Sequence, residues 1–204
     1  LGPRGRIRVD VNGAWEVERA VAAIRVLARY GLEYVEQPVA TVEGMARLRR
    51  LVDVPLAADE CVRLAPDPLA VDLRDAADLV VLKVQPLGGV WPALAVGEAL
   101  GLPCVVSSAL ETSVGLAAGV ALAACLPELP YDCGLGTGPL LAGDLVPDPL
   151  VPVEGHLAVR RPHPDPAGLA RFALEGAAAA GVLERLETAA GARRDAAGGR
   201  PSPP

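Results

Sequence analysis

Four charged residues and a serine recur along the chain at nearly even spacing, each where a short apolar segment ends. They are Asp10, Glu36, Asp59, Lys83 and Ser107, separated by 26, 23, 24 and 24 residues. If the segments are parallel strands, their polar ends meet at one edge, and three carboxylates there repel one another unless a cation joins them. Oxygen ligands without histidine or cysteine favour Mg²⁺ or Mn²⁺ over zinc. The spacing therefore predicts a divalent-cation site with an ammonium group beside it.

Short apolar segments alternate with amphipathic ones from residue 6 to residue 134. The apolar segments predict strands at 6–12, 32–38, 54–60, 78–84 and 102–109, with a short sixth strand at 129–134. The segments between them have helical periodicity, as in Val17, Val21, Ile24 and Leu27. This alternation indicates βαβ units and a parallel sheet. The even repeat favours a (β/α) barrel over a doubly wound sheet, since no G-x-G-x-x-G motif follows the first strand.

Six short motifs carry a resemblance to a known family. They are VDVNGAW (9–15), VEQP (35–38), AADE (57–60), VLKVQPLGG (81–89), SSALETSVGLAAG (107–119) and YDCGLGTG (131–138). Together they resemble the enolase superfamily in its muconate-lactonising-enzyme-like branch and, within that branch, the actinobacterial o-succinylbenzoate synthase family. The resemblance covers about residues 1–161. It implies an α/β fold, a TIM-type (β/α) barrel whose chemistry lies at the carboxyl ends of the strands.

The resemblance implies roles for the polar strand ends. Asp10, Glu36 and Asp59 match the Mg²⁺ ligands on the third, fourth and fifth barrel strands of the family, and Lys83 matches the catalytic lysine of the sixth. Loss of a proton α to a carboxylate leaves an enediolate, whose charge a divalent cation stabilises. Lysine bases with Mg²⁺ are a known pattern of enolase-superfamily sites. Lys83 therefore ends an apolar strand because its side chain points toward the charged groups at the carboxyl ends of the barrel strands.

Further residues receive roles by the same resemblance. Asn12 and Glu60 match neighbours that orient the metal ligands or balance their charge; their alternative roles are in a turn and a helix cap. The start of the helix after the fifth strand is expected to bind the carboxylate of a small-molecule substrate, because a helix N-terminus attracts anions. The residues expected to contact that carboxylate are Ser107, Ser108, Leu110 and Glu111.

The activity implied by the resemblance is a carbon–oxygen lyase. It is the Mg²⁺-dependent dehydration of 2-succinyl-6-hydroxy-2,4-cyclohexadiene-1-carboxylate to 2-succinylbenzoate in menaquinone biosynthesis. Two alternatives stay open at this point. One is an N-succinylamino acid racemase or dipeptide epimerase of the same superfamily, which shares the metal ligands. The other is a catalytically inactive fragment.

The chain departs from the family pattern in its lysines. The family places its base in a K-x-K motif on the second barrel strand, whereas Lys83 is the single lysine of this sequence. We therefore expect a C-terminal fragment that lacks the N-terminal capping domain and the first two barrel strands, and that is inactive alone. Two regions are expected: a partial barrel with its returning segment at 1–161, and an Ala-rich helix with a disordered tail at 162–204.

Composition excludes several classes of function. The net charge is −6 and aromatic residues make up 3%, so no basic, aromatic-rich surface for nucleic acid is expected. The longest apolar stretch, 114–126, is too short to span a bilayer. We expect a cytoplasmic protein without a membrane or nucleic-acid partner, and the sequence leaves the oligomeric state open.

Overall fold

The computed structural model describes residues 5–198. Its centre is one parallel sheet of five strands, whose order in the sheet follows their order in the chain. The strands are β1 (Ile7–Asp10), β2 (Leu32–Glu36), β3 (Leu56–Ala58), β4 (Leu79–Lys83) and β5 (Cys104–Ser107). Every neighbouring pair is parallel. All five strands therefore end at the same edge of the sheet.

Helices connect the strands and continue beyond the sheet. They are α1 (Val17–Leu27), α2 (Val42–Arg49), α3 (Glu60–Arg63), α4 (Val90–Leu100), α5 (Ser113–Cys125), α6 (Pro166–Arg171) and α7 (Gly176–Gly198). Thr41 caps α2, because its hydroxyl accepts a hydrogen bond from the Gly44 amide at 3.0 Å. The short helix α3 was not predicted. Among the described residues, no helix combines the length and the apolar character needed to cross a membrane.

Side-chain alternation along the strands separates two faces of the sheet. Residues such as Val35, Val80 and Val106 pack against the helices in the main hydrophobic core. The opposite face carries a smaller buried cluster: Tyr34, Ala57, Leu79, Val81 and Val105, packed against Tyr131. Because the side-chain period of a strand is two, the polar strand ends continue this second face. The sheet therefore directs them toward the interior that its curvature encloses.

The predicted sixth strand at 129–134 is reduced to one bridge. Gly134 pairs in parallel with Ser107, donating its amide to the Val106 carbonyl and accepting from the Ser108 amide. A Cβ at position 134 would lie 2.6 Å from the Ser107 hydroxyl oxygen, so glycine permits this close approach. The prediction was correct in position but wrong in extent, because Pro130 has no amide hydrogen for a longer ladder.

The first strand also contacts the segment that follows α5. The Arg8 guanidinium donates to the Asp132 carbonyl at 2.6 Å and to Glu33 at 2.6 Å. It lies over the Tyr34 ring, which packs edge-on against Tyr131 with a centroid separation of 5.6 Å. These contacts cover the second face of the sheet on the amino-terminal side of the polar strand ends.

The C-terminal region differs from its prediction in two respects. One Ala-rich helix was predicted within 162–204, but the chain forms two helices there, α6 and α7, separated near Phe172. Phe172 lies against Gly143, where any Cβ would meet its ring at 2.5 Å. The last residues, 192–204, were predicted as a disordered tail, and α7 continues into them as far as Gly198. The remainder of that tail, 199–204, lies outside the described residues.

Candidate active site

The predicted strand-end residues lie together at the carboxyl edge of the sheet. Backbone register pairs Asp10 with Glu36 and Lys83 with Ser107. Asp59 directly follows β3 and precedes α3, with an irregular backbone conformation (φ −131°, ψ −82°). Parallel pairing therefore brings together side chains that are 23 to 26 residues apart in sequence.

Lys83 is the cation at the centre of this edge. Its ammonium lies 2.5 Å from Asp59 Oδ2 and 3.5 Å from Glu36 Oε1, and its side chain is 12% exposed. Burial opposes the charge, but the hydrogen bond and charge of Asp59, together with Glu36, raise the pKa of Lys83 above its ordinary value. Lys83 is therefore a protonated group that links β2, β3 and β4.

The two buried carboxylates next to Lys83 are in an unfavourable environment for negative charge. Burial, and secondly the nearby Asp10, raise the pKa of Glu36 to about 7. The Asp59 side chain is fully buried, and burial raises its pKa even though Lys83 donates to one oxygen and Arg63 to the other at 2.9 Å. The positive charges of Lys83 and Arg63 therefore only partly balance the negative charge of these two carboxylates.

Asn12 and Glu60 lie where the resemblance predicted neighbours of a metal site. The Asn12 amide group donates to Asp10 Oδ2 at 2.9 Å and to Glu60 Oε1 at 3.2 Å. Glu60 Oε1 also accepts from Arg63 at 2.7 Å, whereas Glu60 Oε2 is buried and has no hydrogen-bond partner among the described residues. Asn12 has a left-handed backbone (φ 49°), which asparagine tolerates better than most residues. A continuous polar network thus joins Asp10 to Asp59.

The donor chemistry of this edge fits a divalent cation such as Mg²⁺. It provides three carboxylates on consecutive strand ends, and the unpaired Glu60 Oε2 adds a further buried oxygen. Within residues 5–198, however, no three acidic, histidine or cysteine side chains are close enough to hold an ion as they stand. Lys83 takes the position of a counter-charge between Asp59 and Glu36. Cation binding therefore requires both carboxylates to give up part of their contact with Lys83.

The residues predicted to bind a substrate carboxylate lie across from Lys83. Ser108 shares a hydrogen bond with the Thr137 hydroxyl at 2.7 Å, and Ser107 donates to the Gly134 carbonyl at 3.4 Å. Leu110 has a left-handed backbone (φ 67°) and is 60% exposed. Glu111 turns inward and accepts from the Ala109 amide at 2.9 Å. Glu111 therefore closes the turn that presents Ser108 and Leu110.

The N-terminus of α5 is less free than predicted. The Ser113 amide donates to Asp144 Oδ2 at 2.9 Å, and the Ser113 hydroxyl donates to the same oxygen at 2.7 Å. The Leu150 amide in turn donates to the Ser113 hydroxyl at 2.6 Å. One amide of this helix start, that of Ser113, is therefore already bonded to a carboxylate of the segment after α5. The expectation that the helix start binds a substrate carboxylate stays a prediction.

A cavity of about 430 Å³ opens at this edge, between Lys83 and the turn after β5. Two cations line it, Arg63 and Lys83, and the other lining residues are Gln85, Pro86, Ser108, Ala109 and Leu110. Both cations are paired with Asp59. With a divalent cation held by the neighbouring carboxylates, these cationic groups and the hydroxyl would favour an anionic ligand. The cavity is therefore suited to a small carboxylate.

Sequence reasoning missed two residues of the site. Arg63 lies one helical turn after Asp59 and three residues after Glu60, so the i,i+4 and i,i+3 spacing of opposite charges could have indicated its two ion pairs. Gln37 follows Glu36 directly within VEQP, and nothing in the hydrophobic pattern marked it as buried. Its side chain accepts hydrogen bonds from the amides of Asp59 and Cys61.

The fold and the site define the class of protein. Residues 1–170 match the family described as Enolase C-terminal domain-like, and the chain belongs to that family. The muconate lactonizing enzyme from Pseudomonas putida superimposes with a TM-score of 0.75 and 29% identity, over 84% of this chain and 51% of that chain. The predicted partial (β/α) barrel of the enolase superfamily is confirmed.

Curated relatives specify the branch of that family. The o-succinylbenzoate synthase of Thermobifida fusca (strain YX) is 63% identical over 178 residues, covering 87% of this chain and 56% of that protein. The o-succinylbenzoate synthase of Mycobacterium tuberculosis (strain ATCC 25618 / H37Rv) is 57% identical over 164 residues, covering 80% and 50%. The chain spans about half the length of the curated relatives it matches.

Proposed function

We propose that the chain is the barrel portion of an o-succinylbenzoate synthase. The activity is the dehydration of 2-succinyl-6-hydroxy-2,4-cyclohexadiene-1-carboxylate to 2-succinylbenzoate, a carbon–oxygen lyase reaction. The observation that carries the proposal is the buried contact of Lys83 with Asp59 and Glu36 at the carboxyl edge of a parallel sheet. The 63% identity to a synthase supports this reaction over racemisation or epimerisation.

Asp10, Glu36 and Asp59 are the proposed ligands of Mg²⁺, with Mn²⁺ as the alternative ion. When bound, the ion supplies charge stabilisation to the carboxylate of the substrate as its α-proton leaves. Asn12 holds Asp10 through a 2.9 Å hydrogen bond, and Arg63 holds Asp59 through one of the same length. These two contacts limit the directions that the carboxylates can face.

Lys83 is the proposed catalytic group of this chain. Its pKa is raised by Asp59 and Glu36 against the effect of burial, so it faces the cavity as an ammonium ion. A fixed positive charge there stabilises negative charge that develops on the substrate carboxylate while the β-hydroxyl leaves as water. The sequence contains no second lysine to act as the base. In our proposal the base is therefore supplied by a segment outside these residues.

The substrate is proposed to be a small-molecule carboxylate bound between Lys83 and the turn after β5. Ser107 and Ser108 present hydroxyl groups, and Leu110, whose backbone is left-handed, lines the cavity together with Lys83. Glu111 contributes by closing the turn through the Ala109 amide. Arg63 adds a second positive charge to the same cavity.

A chimera tests this function directly. In it, the chain replaces the matching 178-residue segment of the T. fusca synthase. We expect Mg²⁺-dependent formation of 2-succinylbenzoate, followed by its ultraviolet absorbance, and loss of that activity in the same chimera with Lys83→Ala. The matched control is Asp72→Asn, an exposed carboxylate outside the strand ends.

Other outcomes of this experiment contradict the proposal. Racemisation of N-succinyl amino acids or epimerisation of dipeptides without dehydration would assign the chain to the alternative branch of the superfamily. A folded chimera with neither activity would assign it to the inactive class. Isothermal calorimetry with Mg²⁺ tests the proposed ligands separately from the reaction, because the chimera with Glu36→Gln or Asp59→Asn is expected to bind the ion more weakly while keeping its fold.

A further inference from the structure

Gln37 is a buried amide in a strained backbone position beside the carboxylates. Its side chain is fully buried, and its backbone is left-handed with φ 35°. Non-glycine residues rarely take such a conformation, and it persists only where surrounding contacts enforce it. The surroundings of Gln37 therefore indicate what this conformation achieves.

The side chain of Gln37 uses both ends of its amide. Its oxygen accepts from the Asp59 amide at 2.9 Å and from the Cys61 amide at 3.2 Å. Its nitrogen donates to the Val39 carbonyl at 2.8 Å, within the loop that follows β2. The side chain thus joins the loop after β2 to the turn that carries Asp59.

The backbone of Gln37 extends the connection to a third loop. Its amide donates to the Ala57 carbonyl at 2.9 Å, and its carbonyl accepts from the Gly13 amide at 2.6 Å. Glu36 immediately precedes it, and Gly13 lies three residues after Asp10. One residue is therefore bonded to all three loops that follow the carboxylate-bearing strands.

We propose that Gln37 is a positioning residue that fixes the Asp59 carboxylate relative to Glu36 and Lys83, and so sets the affinity of this edge for a divalent cation. The proposal has two parts, the positioning of Asp59 and the affinity for a cation. Only the second part rests on the proposed metal-dependent function. The first part concerns the protein without metal, since the hydrogen bonds of Gln37 hold the Asp59 turn directly. Loss of groups that orient metal ligands typically weakens metal binding by about 10- to 100-fold.

Two substitutions at position 37 separate the role of the side-chain oxygen from that of the side-chain nitrogen. Gln37→Met keeps the length of the side chain but removes both hydrogen-bonding ends. Gln37→Glu keeps the oxygen that accepts from Asp59 and Cys61 but removes the donor to Val39. The matched control is Gln85→Met, because Gln85 is exposed and lies two residues after Lys83, which ends β4.

Amide hydrogen exchange in the presence of a chelator tests the first part. We expect Gln37→Met to lose protection at the amides of Asp59 and Cys61 at least tenfold more than at the sheet amide of Val81. Gln37→Glu is expected to keep that protection, and Gln85→Met to match the wild type. Unchanged protection at Asp59 in Gln37→Met would overturn the proposal. If Gln37→Met does not fold, loss of protection at both amides in folded Gln37→Glu would overturn it as well.

Mg²⁺ calorimetry on the same proteins tests the second part. We expect the Kd of Gln37→Met to rise about tenfold relative to Gln85→Met. A purely structural role predicts lower stability with an unchanged Kd in the folded protein, and that result would overturn the metal part. Wild-type chain that binds no Mg²⁺ would instead overturn the metal site of the proposed function together with this second part. The exchange experiment would then decide the first part alone.

Discussion

The Lys83 ammonium lies 2.5 Å from Asp59 Oδ2 and joins the ends of β4 and β3 in a buried ion pair. Asp59 is fully buried, so its charge depends on Lys83 and on Arg63, which donates to the other oxygen. Removing one partner of a buried pair leaves an uncompensated charge, which costs far more than losing a surface pair. The contact therefore contributes to stability as well as to the proposed chemistry.

We expect Lys83→Met to lower the free energy of unfolding by about 3 kcal/mol, the lower end of the range for a broken buried pair, because Arg63 still pairs with Asp59. Urea denaturation of the metal-free chain measures this. Arg47→Met is the control, since the ion pair of Arg47 with Glu18 is largely exposed and such pairs contribute little. Equal effects of the two substitutions would show that Lys83 and Asp59 are not paired in solution.

The stability of the metal-free chain is expected to fall with rising pH because of Glu36. Burial and Asp10 raise the pKa of Glu36 to about 7, from an ordinary value of 4.5. A carboxyl group with a raised pKa in the folded state stabilises fully below its unfolded pKa, and this contribution disappears as pH rises through the folded pKa. The loss therefore falls between pH 4.5 and pH 7.

Glu36→Gln tests this prediction, because the amide does not ionise. In the presence of a chelator, the free energy of unfolding of the variant relative to the wild type is expected to increase by about 2 kcal/mol between pH 5 and pH 8. Guanidinium titrations at the two pH values measure the difference. A difference that does not change with pH would mean that Glu36 titrates near its ordinary value.

The strand ends were predictable from sequence because a sequence repeat and the parallel pairing of strands determine their positions. A repeat of about 24 residues indicated one βα unit after another, and parallel pairing then placed Asp10, Glu36, Asp59 and Lys83 at one edge. The six motifs indicated the family, and the match over residues 1–170 confirms it. These inferences needed only backbone order and residue type.

The contacts within the site were not predictable in the same way. Whether Asp59 pairs with Lys83, with Arg63 or with both depends on side-chain rotamers and on the unpredicted helix α3. The use of the α5 start by Asp144 depends on the path of an irregular segment with no hydrophobic period. Gln37 is buried against the usual preference of glutamine for the surface, for reasons that only its hydrogen bonds reveal.

The thiol of Cys61 should report on the integrity of the site. Burial raises its pKa to about 11, whereas Cys125 is exposed. Since the thiolate is the reactive form, ionisation alone should make alkylation of Cys61 at pH 8 about 100-fold slower in the folded chain than in urea. Iodoacetamide labelling followed by peptide mass spectrometry measures this. Cys61 and Cys125 reacting at one rate in the folded chain would contradict the partly buried position of Cys61 in α3.

Asp144 is expected to hold the returning segment on α5. Asp144→Ala removes the acceptor of the Ser113 amide and hydroxyl, and leaves buried donors unsatisfied, which costs about 1 to 3 kcal/mol. Thermal unfolding measures the loss, and amide exchange at Ser113 localises it. Asp148→Ala is the control, because Asp148 is largely exposed. The proposed docking would be refuted by similar stabilities for the two variants.

The isolated 204-residue chain is expected to be inactive as a synthase. Its single lysine, Lys83, is protonated and paired with Asp59 and Glu36, so it is a poor base at neutral pH. Positioned acid–base catalysis accelerates reactions by about 10²- to 10⁴-fold, and a chain without a free base loses at least that factor. The measurement is ultraviolet detection of 2-succinylbenzoate with purified chain, Mg²⁺ and the cyclohexadiene substrate, beside the T. fusca chimera as a positive control. Turnover by the isolated chain near that of the chimera would show that Lys83 itself serves as the base, and that its ion pair opens when substrate binds.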